Sequence, residues 1–279
     1  MFKQLKNREM KNIGLLIVSM LMLPLWINAQ EESVELFSVP LSDANSPGKL
    51  IVEQLAGSID VLAYEGSEVV VKASFGNKKA HYKEEKEKSG LRRIQNSSLK
   101  ISAEEKNNVV RIINEQWDRA TNLEIKVPKN FSLKLGTVNQ GNINVKGVSG
   151  EMEVSNVNGE ITLEGIGGSA LADTVNGDIK VGFVSVTPNV NMAFSSLNGD
   201  LDVTFPNSVK SDLKLKSEQG DIYTDFEMVT DKQKAVSKTD KSSSTYKVEI
   251  EQWVRGKLNG GGPEMLFKTF NGDIIIRSN

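Results

Sequence analysis

The stretch that decides the fold is Val175-Asn176-Gly177-Asp178-Ile179-Lys180-Val181, because the chain repeats it. "VNGEITL" occupies 157–163, "LNGDLDV" 197–203, "EQGDIYT" 218–224 and "FNGDIII" 270–276. Each copy is a turn-forming Asn-Gly or Gln-Gly, an acid, and then residues that alternate apolar and polar. That pattern is a corner feeding a strand with one buried face. The corner glycines fall at 141, 159, 177, 199, 220 and 272, and the first two intervals are 18 residues. Gly150 and Gly168 lie halfway, so glycine recurs every nine residues from 141 to 177. Positions three, five and eight of each nine-residue segment are apolar: Met152, Val154 and Val157 in one, Ile161, Leu163 and Ile166 in the next, Ala170, Ala172 and Val175 in a third. These are the expected core positions.

A fixed repeat near 20 residues with no helical period signals stacked coils, none of which can bury its apolar face alone. The expected fold is all-β, a single-domain parallel β-solenoid (β-helix) with about 18–22 residues per coil. Successive coils would stack at ~4.8 Å. The structural corners are then Asn158-Gly159, Asn176-Gly177, Asn198-Gly199 and Asn271-Gly272. The glycine is expected at φ > 0, and the amides, with Gln140 and Gln219, are expected to form a ladder. Gln140 adds a residue before Gly141, which predicts a bulge. Gly57–Val61 and Gly66–Val71 repeat the nine-residue step near the start. Strand-like runs follow at Leu99–Ala103, Val109–Ile113 and Leu123–Val127, and a last one at Tyr246–Val254. Charge-rich or polar insertions without alternation interrupt the theme near 76–98 and 227–245.

The N-terminus carries Lys3, Lys6, Arg8 and Lys11, an apolar run of 15 residues from Ile13 to Ile27, and Asn28-Ala29-Gln30. This reads as a secretory signal over 1–29, cut after Ala29, with the solenoid domain over 30–279. The run is shorter than the ~20 residues of a membrane span and contains Pro24, so no span is expected after cleavage. An uncleaved anchor is the competing reading. No cysteine is present, which excludes disulfides, thiol chemistry and lipid attachment at a cleavage-site cysteine. His81 is the single histidine, which excludes multi-histidine metal sites. The net charge of −2 becomes more negative once the basic N-terminus leaves, which argues against a nucleic-acid partner.

The segments 123–163, 172–181 ("ADTVNGDIKV") and 258–279 ("LNGGGPEMLFKTFNGDIIIRSN") resemble the putative adhesin family of exported bacterial β-solenoids, a domain of unknown function. The resemblance implies an extracytoplasmic solenoid with adhesion as its presumed role. It brings no catalytic residues with it.

Four features are candidate sites. Glu160, Asp178, Asp200, Asp221 and Asp273 each follow a corner glycine, and stacked carboxylates can hold calcium through oxygen ligands. Asp178, Asp200, Asp221 and Asp273 are the calcium candidates. Calcium-binding nonapeptide solenoids use a GGxGxD run that this chain lacks, so the favoured reading is a solvated edge whose acids accept hydrogen bonds from corner amides. Trp117 and Trp253 share an "EQW" context and could stack on a sugar, although capping the core ends is the favoured role. "KKAHYKEEKEK", around His81, mixes charges and reads as a solvated segment. "NGGGPE" at 259–264 lacks the Lys-Ser/Thr and helix of a phosphate loop and reads as a wide turn. No catalytic, cofactor or metal residues are assigned, and no cofactor is expected. The expected function is a non-enzymatic envelope or surface protein, exported to the periplasm or cell surface, acting as an adhesin or interaction scaffold for a protein or glycan. A carbohydrate-active β-helix enzyme (lyase or glycosidase) and an envelope-sensing partner of a membrane regulator are the alternatives.

Overall fold

A computed structural model describes residues 34–75, 100–116, 119–231, 236–242, 245–251 and 253–279. The expected signal (1–29), the insertion at 76–98 with His81, and Trp117 lie outside the described residues. Every described element is a strand. Twenty strands hydrogen-bond into one nearly closed, barrel-like sheet. Val236–Ser242, inside a stretch expected to be a loop, pairs with Thr245–Glu251, most of which lies in the strand expected at Tyr246–Val254, as a separate antiparallel ribbon.

Strict alternation makes the strands. Phe131–Asn139 buries Phe131, Leu133, Leu135 and Thr137 and turns Ser132, Lys134, Gly136 and Val138 outward. Side chains of this kind line two walls with the apolar core between them. The first wall stacks, in spatial order, Val109–Asn114, Gly48–Ala56, Phe131–Asn139, Ser149–Asn158, the second half of Ile161–Asn176, Met192–Asn198, Glu264–Asn271 and Ser211–Gln219, each parallel to the next. The second wall stacks Thr121–Pro128, Ile59–Tyr64, Ile143–Lys146, the first part of Ile161–Asn176, Ile179–Val186, Leu201–Phe205, Ile274–Ser278 and Ile222–Thr224, again parallel. Ile161–Asn176 runs through both walls around the second corner, where its register shifts.

Two expectations are corrected. Strand directions are mixed, so a purely parallel solenoid does not describe the whole chain. Val34–Pro40 pairs antiparallel with Glu68–Phe75, which pairs antiparallel with Thr121–Pro128. Ile101–Lys106 is antiparallel to Val109–Asn114. At the other end Val254–Leu258 is antiparallel to Ser211–Gln219, and Val229–Asp231 to Val254–Leu258. The Gly66–Val71 stretch is therefore a reversing strand and not another coil. Coils also do not simply follow chain order. The coil that contains Gly57 sits between those of Val109–Pro128 and Phe131–Lys146. The C-terminal coil, Glu264–Ser278, sits between Met192–Phe205 and Ser211–Thr224.

Aromatic packing fits that intercalation. Phe194 stacks on Phe267 at 5.0 Å between ring centroids, and Phe183 on Phe205 at 5.1 Å. Edge contacts of 6.5 Å (Phe183–Phe194) and 6.4 Å (Phe205–Phe267) close the cluster. Each such pair adds ~0.5–1.5 kcal/mol beyond the area it buries.

The core positions are those expected, with one systematic exception. Val148 and Ile166 are fully buried, but Val157 is only half-buried and Val175 is exposed. On the second wall Gly147 and Gly165 take left-handed φ values of 72° and 61°, which shifts the alternation by one and turns Val148 and Ile166 inward. No left-handed residue stands between Met152 and Val157 or between Ala170 and Val175, so period two carries through. Asn156 and Thr174 then point in, and Val157 and Val175 point out.

Candidate functional site

The repeated phrase builds one corner out of four ladders. The amide ladder runs Asn139, Asn158, Asn176, Asn198, Asn271. Each Nδ2 donates to the Oδ1 of the coil before, at 2.9, 2.8, 2.8 and 2.7 Å. Asn139, and not Gln140, holds the equivalent place; Gln140 is the extra residue, at a left-handed φ of 57°. Gln219 stands in register beside Asn271, beyond it in the stack.

The glycines form a second ladder, for a reason other than the expected one. Gly177 and Gly199 have φ of 159° and 156°, close to extended. What excludes a side chain is the next coil: a Cβ on Gly177 would collide with the carbonyl of Gly159, one on Gly199 with that of Gly177, and one on Gly272 with that of Gly199. Gly159 meets Gly141 in the same way. The glycines let successive backbones approach and keep their bonds, such as Gly159 N–H to Asn176 O and Gly177 N–H to Asn198 O, both 2.9 Å.

A third ladder lies inside the corner. Thr137, Asn156, Thr174, Ser196, Thr269 and Ser217 each donate a side-chain hydrogen bond of 2.8–3.1 Å to a corner-glycine carbonyl of an adjacent coil. Sequence reading missed these residues, although the signal was present: a Thr, Ser or Asn stands two residues before each ladder Asn, or before Gln219.

The acids form the fourth ladder. Asp178 Oδ1 accepts from the Asp200 amide at 2.9 Å, Asp200 from the Asp273 amide at 2.8 Å and Asp273 from the Asp221 amide at 2.8 Å. The Glu160 amide donates instead to Asn142 at 3.0 Å. Each of these carboxylates thus serves the backbone of the neighbouring coil. Among the described residues no three His, Asp or Glu side chains converge as metal ligands would. The charges of Asp221 and then Asp273 raise the Tyr223 phenol above the ordinary tyrosine range.

The remaining candidates separate in space. Trp253 is half-buried on the first wall, with Lys214 Nζ 4.4 Å and Lys216 Nζ 5.6 Å from its ring centre, so a cation already covers one face. In 259–264, Asn259, Gly260 and Gly261 are all left-handed, and Asn259 Nδ2 donates to the carbonyls of Asn207 and Val209, which makes a turn.

The two walls differ outside. The second presents charged and polar pairs: Asn144 to Asp60 at 2.7 Å, Lys146 with Glu164 at 3.0 Å, Arg277 with Asp202 at 3.0 Å. The first presents, beside the amide ladder, a continuous apolar row of Leu55, Val138, Val157, Val175, Leu197 and Phe270. Leu55 is 58% exposed, Val175 37%, Leu197 48% and Phe270 43%. Six in-register strands make the row ~24 Å long. Scattered exposed apolar residues are ordinary, but an aligned row of them marks a contact surface.

Residues 132–252 match the Toastrack DUF4097 family, and the chain has the Toastrack fold. This match bears out the resemblance to the putative adhesin family. Two crystal structures are similar to this chain. One is a putative cell adhesion protein from Clostridium sporogenes ATCC 15579, with TM-score 0.43 and 13% identity, covering 89% of this chain and 100% of that one. The other is a putative adhesin from Bacteroides fragilis NCTC 9343, with TM-score 0.39 and 12% identity, covering 88% and 97%. No curated protein matches the sequence. Among the described residues no helix is long and apolar enough to cross a membrane.

Proposed function

We propose that this chain is an exported, non-enzymatic interaction protein of the cell envelope, held at the periplasmic or outer surface and working as an adhesin-like scaffold. In this reading the signal segment is removed after Ala29. The parallel coils then form a short β-solenoid, closed at both ends by its antiparallel strands. The observation that carries the proposal is the apolar row on the first wall. The four ladders hold that wall in register, and the row gives a partner an apolar strip bordered by Asn amides. Such a surface suits contact with a macromolecule better than enclosure of a small substrate.

The experiment is fractionation of cells that produce the chain. The expected result is an exported protein beginning at Gln30 that sediments with the envelope. Leu197→Lys with Phe270→Lys should release it, whereas Leu62→Lys with Val184→Lys, exposed on the second wall, should not. A chain retained in the cytoplasm, or equal retention of both double variants, refutes the proposal.

A further inference from the structure

We infer that three turns, at the strand ends away from the Gly57 corner, form a binding cleft for a neutral sugar, a mono- or disaccharide unit of a surface glycan. This site is separate from the apolar row. The turn before Gly48–Ala56 brings Asn45, Ser46 and Pro47. The turn after Ile59–Tyr64 brings Glu65 and Ser67, and the turn after Thr121–Pro128 brings Lys129 and Asn130. Strand pairing gathers them: Tyr64 lies in register beside Pro128, and Gly48 beside Phe131. The cleft between them measures about 390 Å³. Small-ligand clefts run from ~300 to ~1,000 Å³.

The cleft is preformed. The Asp43 carboxylate accepts from the Asn45 amide at 3.0 Å and from the Ser46 hydroxyl at 2.6 Å. Asn108, only 6% exposed, accepts from the Asp43 amide at 2.8 Å and donates to the Asp43 and Ser46 carbonyls at 2.6 and 3.3 Å. The Tyr64 hydroxyl donates to the Glu68 carbonyl at 2.7 Å, and its ring rests so closely against Gly66 that a Cβ there would collide with it. These bonds fix the turns and leave the lining side chains unused. Asn45, Glu65, Ser67, Lys129 and Asn130 are exposed, and among the described residues their side chains have no hydrogen-bond partner.

That lining answers the chemistry of a sugar. A pyranose has an apolar C–H face and a rim of hydroxyls that donate and accept. Tyr64, Pro47 and Pro128 offer apolar surface. The two amides and the Ser67 hydroxyl donate and accept, Glu65 accepts and Lys129 donates. One carboxylate with one ammonium leaves no net charge, which disfavours a phosphate, and it supplies too few oxygens for calcium. The single carboxylate also falls short of the pair that glycoside hydrolysis uses, so the cleft binds and does not cleave. The exposed lining leaves part of the sugar in water, so the affinity is expected in the millimolar range.

The test is a nuclear magnetic resonance titration of the full exported chain, isotopically labelled at nitrogen. The probes are lactose, maltose, cellobiose and diacetylchitobiose, with inorganic phosphate and calcium chloride as the charged comparisons. At least one disaccharide should shift the amide signals of Asn45, Ser67 and Asn130 and saturate. Asn45→Ala and Asn130→Ala, whose side chains hold no part of the fold, should each weaken that sugar about fivefold. Leu197→Lys with Phe270→Lys, which alters the apolar row, should bind the sugar like wild type, so the cleft and the row stand or fall separately. No saturable shift at these three residues with any of the four sugars, even in the tens of millimolar, overturns the assignment. So does phosphate or calcium moving the same signals at lower concentration than every sugar, or wild-type binding by both alanine variants.

Discussion

Replacing Gly177 by alanine isolates what the corner glycine does. At φ 159° the backbone stands at the extended edge of the positive-φ range. The obstacle is spatial: the new Cβ would collide with the carbonyl of Gly159, a backbone group that cannot rotate away. The two coils must separate locally. Overpacking of this kind costs ~1–3 kcal/mol. Separation also stretches the bonds from Gly159 N–H to Asn176 O and from Ile161 N–H to Asp178 O, worth ~0.5–1.5 kcal/mol each. The expected loss is about 2–6 kcal/mol. Gly165→Ala is the control. Its φ of 61° is left-handed, yet a Cβ there meets nothing within 4 Å, so it should lose only the ~1–2 kcal/mol of the conformational penalty. Urea unfolding followed by far-ultraviolet circular dichroism measures both. If Gly165→Ala proves as costly as Gly177→Ala or more so, close approach of the coils is not what the corner glycines serve.

Other outcomes follow from the same geometry. Thr174→Val keeps the shape but removes the donor to Gly159 O, so it should cost ~1–3 kcal/mol. Thr162→Val, on the outer side of the second wall, should stay within ~0.5 kcal/mol. Ile179→Ala, at a fully buried position, should lose ~2–5 kcal/mol. Asp178→Ala, whose exposed carboxylate serves one amide, should lose no more than ~1.5 kcal/mol. Ultraviolet titration, read as the difference from Tyr223→Phe, should find Tyr223 ionising above the ordinary tyrosine range, because Asp221 and Asp273 disfavour the phenolate. Asp221→Asn should bring it down. Millimolar calcium should leave it in place; a downward shift on adding calcium would establish an ion on the acidic edge.

Much of the fold was legible because the corner phrase recurs in register with the alternation. The identity of neighbouring coils was not. "LNGDLDV", "EQGDIYT" and "FNGDIII" are nearly equivalent as text, and nothing local says that the last belongs between the other two. The signal was in the core: Phe194, Phe205 and Phe267 carry the bulk that makes those coils neighbours. Strand direction was hidden for a related reason. Glu68–Phe75 alternates as a coil strand does, and period two looks the same read either way. Hydrophobicity alone marks Val157 and Val175 as core, although strict counting from Val154 and Ala172 turns them outward. That one slip concealed both the internal Thr/Ser/Asn ladder and the apolar row, so the corner was foreseen as architecture while the outer surface beside it was not.

The C-terminal coil must lie between its neighbours, since that is what places Phe270 beside Leu197 and completes the row. Nuclear Overhauser contacts in a deuterated, methyl- and aromatic-labelled sample test it directly. Strong contacts are expected from the Phe267 ring to both the Phe194 ring and the Leu215 methyls, with none between Phe194 and Leu215. Direct contact between Phe194 and Leu215, with Phe267 at the end of the stack, would contradict it.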